Sequence, residues 1–140
     1  MANIRLTVVI RKDLLLEPGL LAAQVSHIAD MFMRKKLHAF MRQKILAQKG
    51  AHLGFTHPEI SWLAEPYISI LGVNCFEDLN EVIKHCKRQK LAHYIWTDTI
   101  PSPTGKATKR PSFIKALVGI SIGPEDFDKI KIVTGHLLPY

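Results

Sequence analysis

The spacing of apolar residues predicts the order of strands and helices along the chain. A short apolar and β-branched run from Ile4 to Ile10, bounded by charged residues, is typical of a buried strand. Proline is tolerated in the first turn of a helix, so a helix can begin at Pro18. From there the apolar residues recur at helical spacing, at Leu21, Val25, Ile28 and Phe32. The first part of the chain therefore predicts a strand that leads into a helix.

The predicted helix is long for a protein of this size. After Gly19, no glycine or proline interrupts the chain until Gly50. An unbroken helix of about 30 residues would run about 45 Å, which exceeds the roughly 37 Å expected across a domain of this length. We therefore expect a bend, a break or an overhang near the basic run at residues 34–36. Taken alone, that run is more typical of a solvated helix face than of a phosphate-binding one.

The rest of the chain alternates between strands and helices. In order, the patterns predict a helix from Thr56 through Trp62, a strand from Tyr67 to Val73, a helix from Phe76 to Gln89, a strand from Ala92 to Thr97, a loop from Thr99 to Pro111, a strand from Phe113 to Ile122 and a helix from Gly123 to Lys131. Such alternation predicts an α/β fold, a three-layer α/β/α sandwich.

Composition narrows the class of protein. With 140 residues, 47% of them hydrophobic and 22% charged, the chain has the profile of one globular domain spanning residues 1–140. The formal net charge of +7 favours a polyanionic partner, nucleic acid before membrane. No apolar run approaches the roughly 18 residues of a membrane span, and there is no signal-peptide pattern. Cys75 and Cys86 form neither a disulfide framework nor a metal-binding spacing, and we expect a reducing, cytoplasmic location.

Three polar residues stand out against this apolar pattern. Gln24 and His27 lie three apart, so they project as neighbours beside the apolar stripe of the first helix. Asp98 follows a predicted strand, and ligands of open α/β sheets bind beyond the carboxyl ends of strands. The alternatives are ordinary packing roles for Gln24 and His27 and a turn aspartate at position 98.

Sequence motifs at both ends of the chain resemble those of one family. The resemblance is to the second class of peptidyl-tRNA hydrolases, the archaeal and eukaryotic type. Its motifs are an Arg-x-Asp, an Ala-Ala-Gln followed by a His three residues on, and a final Val-Thr-Gly-His-Leu. They match here at Arg11, Asp13, Ala22 to Gln24, His27 and Val133 to Leu137. The resemblance implies a four-stranded mixed sheet with helices on both faces, and the family commonly forms homodimers.

The resemblance also implies an activity and assigns roles. A peptidyl-tRNA hydrolase cleaves the ester between a peptide and the terminal ribose of tRNA with an activated water. Asp98 stands where the family has its active-site aspartate and would orient or activate the water. His27 would donate a proton or bind the terminal adenosine or ribose, and Gln24 would hold a carbonyl or the water. Ser102 falls where the family has a threonine.

Several positions depart from the family pattern. Leu20 replaces the family's active-site lysine, Ile100 replaces a glycine, and Ala116 and Val118 replace threonines. The candidates to replace the missing cation are Lys12, Lys106 and Lys109. Arg110 is a further candidate for a tRNA contact.

Other functions remain open at this point. A tRNA-binding or other RNA-binding module without activity is favoured by Leu20 and Ala116, and a small-molecule hydrolase that reuses the cleft is a third reading. Asp98, His27 and Ser102 contain the residue types of a serine-hydrolase triad, although no nucleophile-elbow motif surrounds the serine. No histidine pair has a metal-binding spacing, and no glycine-rich phosphate loop or dinucleotide fingerprint is present, so we expect neither metal nor cofactor. The hydrolase hypothesis requires Asp98 to lie close in space to Gln24 and His27.

Overall fold

The computed structural model of the chain describes residues 3–45, 54–104 and 112–140, and the side chains of all these except 43–45. The strands are β1 (Ile4–Arg11), β2 (Ile68–Val73), β3 (His93–Pro101), β4 (Phe113–Asp126) and β5 (Leu138–Pro139). The helices are α1 (Pro18–Ala29), α2 (Met31–Ile45), α3 (His57–Ala64), α4 (Phe76–Arg88) and α5 (Phe127–Thr134). The alternation of strands with helices confirms the predicted α/β class.

The strands form one mixed sheet in the order β3-β4-β1-β2-β5. β1 and β2 run parallel, with Val8 opposite Ile70, whereas β4 runs antiparallel to both β1 and β3. The mixed sheet was expected, but it has five strands rather than four. The additional strand, β5, pairs with the end of β2 and has only two residues, one of them a proline. So short a segment carries no hydrophobic period from which a strand could be predicted.

The long first helix is broken, as its length predicted. α1 ends at Ala29 and α2 begins at Met31, with Asp30 between them at φ −93° and ψ 2°. The break falls before the basic run, so residues 34–36 lie in the first turns of α2. Backbone hydrogen bonds still cross the junction, from the Asp30 N–H to the Ser26 oxygen and from the Arg34 N–H to the Asp30 oxygen.

Apolar side chains cover both faces of the sheet. Successive residues of a strand point to opposite faces, so Val9 packs on one side of β1 while Val8 and Ile10 pack on the other. The face that carries α4 and α5, here called the α4 face, holds a buried cluster of Val9, Val73, Leu79, Val82, Ile83, Cys86, Leu91, Ile120, Ile122, Ile130 and Val133. The opposite face, the α1 face, holds a smaller cluster of Val8, Ile10, Leu14, Ile28, Ile100, Ala116 and Val118.

The boundaries of the later elements differ from the prediction. β3 continues to Pro101, so Asp98 lies inside the strand and pairs with Ala116, not at the strand's end. β4 runs on to Asp126, and α5 begins at Phe127 rather than at Gly123. The long antiparallel ladder between β3 and β4 explains the first difference, because its cross-strand pairs keep the chain extended past Thr97.

Candidate active site

Gln24 of α1 is the centre of a buried polar cluster. Its side chain is only 2% exposed, beside the apolar cluster of the α1 face. The Gln24 Oε1 accepts a hydrogen bond of 2.7 Å from the indole Nε1 of Trp96, and its Nε2 donates one of 2.9 Å to Asp98 Oδ2. An indole N–H can only donate, so the amide oxygen must face Trp96 and the amide nitrogen must face Asp98. The orientation of the Gln24 amide is therefore determined by its partners.

Asp98 is held through both carboxylate oxygens. Oδ2 accepts from Gln24, and Oδ1 accepts from the backbone N–H of Thr99 at 2.8 Å. Each carboxylate oxygen has more than one acceptor site, so both retain capacity for a hydrogen bond from water or substrate. The side chain is partly exposed. The arrangement is a fixed hydrogen-bond acceptor that solvent can reach.

His27 completes the cluster from the next turn of α1. Its ring stacks on that of Trp96, with centroids 5.0 Å apart and planes 24° from parallel. Its Nδ1 lies 3.3 Å from Nη2 of Arg34 in α2, and the Arg34 guanidinium carbon lies 5.8 Å from the Trp96 ring centroid. Gln24, His27, Arg34, Trp96 and Asp98 are called the Gln24–Asp98 cluster below. The structure thus brings Asp98 to the Gln24 amide, while His27 joins the cluster through Trp96 and not through Asp98.

Basic and aromatic side chains continue along the same side of β3. Tyr94, two residues before Trp96, shares its face, and Lys35 Nζ lies 4.9 Å from the Tyr94 ring centroid. Burial, and secondarily the charge of Glu59, raises the pKa of Tyr94 above its usual value. Lys36 differs from its neighbour because it forms a 3.1 Å ion pair with the buried Glu59 of α3. Within the basic run, Lys35 therefore lies on an aromatic surface, whereas Lys36 belongs to an internal ion pair.

Ser102 lies apart from the cluster. It is 7% exposed, and its Oγ shares a 2.9 Å hydrogen bond with Thr104 Oγ1. Four residues of extended chain separate it from Asp98, which corresponds to about 13 Å. Asp98 is bonded to Gln24 and Thr99 rather than to His27. The structure does not assemble Asp98, His27 and Ser102 as a hydrolase triad.

Lys12 lies in another cavity. Its stem crosses β2 over Gly72, where an added Cβ would collide with the Lys12 side chain. The cavity, of about 290 Å³, is also lined by Asp78 and Glu81 of α4 and by His136. Lys12 is therefore placed with α4 and the C-terminal tail, not with Asp98. The predicted contacts Lys106, Lys109 and Arg110 lie outside the described residues.

Apolar side chains fill the positions where the sequence departs from the expected motifs. Leu20 lines a small cavity with Leu14, Leu16 and Pro101. Ile100 and Val118 are fully buried in the cluster of the α1 face. Ala116 lies directly opposite Asp98 across the β3–β4 ladder, so a methyl group adjoins the carboxylate there.

The residues of the Arg-x-Asp motif have a structural role at the end of β1. Arg11 donates to Asp13 from Nε at 3.0 Å and from Nη2 at 2.7 Å, a bidentate pair. Its Nη1 donates to the carbonyl oxygen of Leu117 in β4 at 3.2 Å. The pair therefore ties the chain after β1 to the neighbouring strand.

Sequence reasoning missed Trp96 and Arg34. Trp96 lies two residues before Asp98, so the period of a strand places both on one face. Had the predicted strand been continued past Thr97, that period would have identified Trp96 as a neighbour of the site. Arg34 was assigned to a solvated run, although its spacing of seven residues from His27 places the two on the same side of a helix.

Within the described ranges, no group of three His, Cys, Asp or Glu side chains is arranged to hold a metal ion. None of the helices in those ranges has the length and apolar character needed to cross a membrane.

Comparison with known proteins identifies the family. A search of curated proteins gave no significant match. The sequence model of the family described as peptidyl-tRNA hydrolase PTH2 matches residues 4–140, which is nearly the whole chain. The mixed sheet flanked by helices agrees with that match. The chain therefore belongs to the peptidyl-tRNA hydrolase PTH2 family.

Proposed function

We propose that this protein hydrolyses the ester that joins a peptide to the terminal ribose of tRNA, at the Gln24–Asp98 cluster. The observation that carries the proposal is the Asp98 carboxylate, held by Gln24 Nε2 at 2.9 Å and by the Thr99 N–H at 2.8 Å. Family membership supplies the substrate class. The +7 charge agrees with a polyanionic substrate.

The chemistry needs a positioned proton acceptor. Asp98 takes a proton from water as the water oxygen attacks the ester carbonyl carbon. The tetrahedral intermediate then releases the ribose oxygen, which receives the proton that Asp98 took from the water, and the peptide leaves as a carboxylic acid. General-base catalysis of this kind contributes about 10²- to 10⁴-fold. Gln24 and Trp96 contribute by holding the carboxylate in one orientation before substrate arrives.

The tRNA part of the substrate is assigned to the adjoining surface of α2. Arg34 and Lys35 lie over the rings of Trp96 and Tyr94, so cations and aromatic faces occur together beside Asp98. Phosphates bind cations, and unstacked bases bind aromatic or guanidinium planes. Lys106, Lys109 and Arg110 remain predicted tRNA contacts. A role in translation places the protein in the cytoplasm.

A second candidate is a tRNA-binding module without activity. The observation in its favour is that Leu20 has an apolar side chain and that Ala116 presents a methyl group beside Asp98. Neither side chain can stabilise negative charge at the reacting ester. The two candidates share a surface and differ in turnover.

One experiment compares two esters. Release of N-acetyl-amino acid is measured from N-acetyl-aminoacyl-tRNA and from the same amino acid esterified to adenosine alone. We expect faster turnover of the tRNA ester, with an advantage that shrinks as salt rises. Binding of tRNA without turnover of either ester would instead identify the module. Equal rates on both esters, insensitive to salt, would identify a small-molecule hydrolase.

A matched pair of variants locates the tRNA surface. Lys35→Ala removes a cation beside Tyr94, and Lys84→Ala removes an exposed one on α4. We expect Lys35→Ala to weaken tRNA binding and to lower the salt slope by about 1, as for one lost phosphate contact. Lys84→Ala should leave both unchanged. Equal effects of the two would contradict the assignment of α2 to tRNA.

A further inference from the structure

His27 is contacted on two sides by groups from different elements. One face of its ring stacks on Trp96 of β3, and its Nδ1 lies 3.3 Å from Arg34 Nη2 of α2. Arg34 follows His27 by seven residues. Residues seven apart lie on the same side of a helix, and helical hydrogen bonds cross the junction at Asp30, where Asp30 N–H donates to the Ser26 oxygen and Arg34 N–H donates to the Asp30 oxygen.

Arg34 is itself held in place. Its Nε lies 3.2 Å from the Asp30 carboxylate, and its guanidinium carbon lies 5.8 Å from the Trp96 ring centroid. The side chain is 45% exposed, so the ion pair alone contributes little to stability. The geometry rather than the energy of the pair is informative. One nitrogen of the guanidinium faces Asp30, which leaves another for His27.

The chemistry of the two groups determines the proton's position. A guanidinium has only N–H donors and is always charged in proteins. The Nδ1 of His27 must therefore accept, and a neutral imidazole that accepts at Nδ1 carries its hydrogen on Nε2. We propose that Arg34 is a positioning residue that fixes His27 in the Nε2–H form, so that His27 serves the site as a hydrogen-bond donor.

This assignment separates the roles of the two titratable residues, and it rests on the proposed function. Asp98, which accepts hydrogen bonds, takes the proton from the attacking water. His27 donates its Nε2–H to an oxygen of the ester as charge develops there. Removal of one donor to a developing oxyanion lowers turnover by about 10²- to 10³-fold in other enzymes. Removal of Arg34 leaves the donor present but free to change tautomer, so its effect is smaller.

The first test is the protonation of the His27 ring, which requires no substrate. Long-range ¹H–¹⁵N spectra recorded at pH 8, above the ordinary titration range of histidine, report which ring nitrogen carries the proton. In the wild type we expect Nε2 to be protonated and Nδ1 to be the acceptor. In Arg34→Ala the two ring nitrogen shifts should move toward each other as both tautomers become populated. Lys35→Ala, which removes an equal charge one residue away, should reproduce the wild-type spectrum.

Two outcomes of this measurement would overturn the proposal. A wild-type His27 protonated at Nδ1 contradicts it, and so do ring shifts in Arg34→Ala that equal those of the wild type. Both variants are substitutions of exposed side chains, and matching melting curves verify that they fold.

The second test is catalytic. With N-acetyl-aminoacyl-tRNA, Arg34→Ala should lower kcat by roughly 10- to 100-fold, as expected when a reacting group is misplaced. Lys84→Ala, an exposed residue of α4, should leave both kcat and KM unchanged. A kcat for Arg34→Ala equal to that of the wild type would overturn the role in the reaction. If the wild type turns over neither ester, the proposed function fails, while the tautomer measurement still decides whether Arg34 orients His27.

Discussion

The two faces of the sheet are built from different kinds of side chain. On the α4 face, α4 contributes the buried residues Leu79, Val82, Ile83 and Cys86 to the larger apolar cluster. Its charges lie at the surface, acidic in the first turn and basic in the last, where they complement the helix dipole. On the α1 face, Gln24 is buried within the apolar layer and is hydrogen-bonded to Trp96 and Asp98.

This difference between the two faces indicates that the α4 face contributes mainly to stability and the α1 face to the reaction. Apolar burial stabilises a fold in proportion to the area removed from water, and the larger apolar cluster belongs to the α4 face. The Gln24 amide, buried in the α1 face, is paired through both its oxygen and its nitrogen, and an unpaired buried amide would be costly. Substitutions on the α4 face should therefore change stability and leave the reaction alone. Substitutions in the Gln24–Asp98 cluster should do the reverse.

The largest effect is expected from Asp98→Asn. An amide is nearly isosteric with the carboxylate but does not accept a proton from water, so kcat should fall by about 10²- to 10⁴-fold. Stability should change by only about 1 kcal/mol, because one of the two donors at this side chain loses an acceptor. Hydrolysis of N-acetyl-aminoacyl-tRNA and thermal melting measure the two quantities. The control is Asp128→Asn, at an exposed position of α5. Turnover by Asp98→Asn within threefold of the wild type would refute a base at position 98.

Leu79→Ala tests the opposite face. Leu79 is fully buried, and truncation of such a residue destabilises a protein by about 2–5 kcal/mol. The free energy of unfolding from urea titration should fall by that amount. The kcat of the fraction that remains folded should be unchanged. A fall in kcat comparable to that of Asp98→Asn would show that the two faces are not independent.

Trp96→Phe tests the orientation of Gln24 with a smaller change. Phenylalanine retains a ring for His27 but removes the N–H that Gln24 Oε1 accepts, so the Gln24 amide loses one of its two constraints. We expect kcat to fall about 10-fold and stability by about 1 kcal/mol. Trp62→Phe is the matched control, since that indole N–H donates to the carbonyl oxygen of Tyr67 instead. Equal kcat values for the two variants would contradict an orienting role for Trp96.

The last effect is a pH dependence of stability on the α4 face. Burial raises the pKa of the Cys86 thiol from 9.0 to about 11. Since the raised value belongs to the folded state, the stability linked to this thiol is fully present below pH 9 and is lost as pH rises through 11. At about 1.4 kcal/mol per pKa unit, the loss is on the order of 3 kcal/mol. The difference between wild type and Cys86→Ala in unfolding free energy should shrink from pH 9 to 11, and a constant difference would show that the thiol ionises equally in both states.

The fold was predictable where the local pattern and the tertiary packing agree. α4 has apolar residues on one side and charges suited to its ends, so its sequence and its place in the structure give the same answer. The break in the first helix was predictable from length alone. The end of β3 was not, because pairing with β4 kept the chain extended beyond Thr97.

The candidate site was predictable only in part, and for a physical reason. Gln24 and His27 are neighbours on one helix, so their proximity follows from helical spacing. The bonds from Gln24 to Trp96 and Asp98 cross 72 and 74 residues of sequence, and no local pattern encodes such a distance. Lys12 illustrates the same limit, since it is close in sequence to α1 yet lies in the cavity beside α4.

The most direct test of the account is to observe which face a substrate analogue contacts. An RNA minihelix ending in an N-acetyl-aminoacyl group joined by an amide instead of an ester binds without being cleaved. When it is titrated into ¹⁵N-labelled protein, we expect the largest shifts at the Trp96 indole N–H and the Gln24 side-chain amide. The backbone amides of buried Leu79 and Cys86 should not move. Shifts confined to α4 and α5, with those of Trp96 and Gln24 unchanged, would contradict the assignment of the active site to the α1 face.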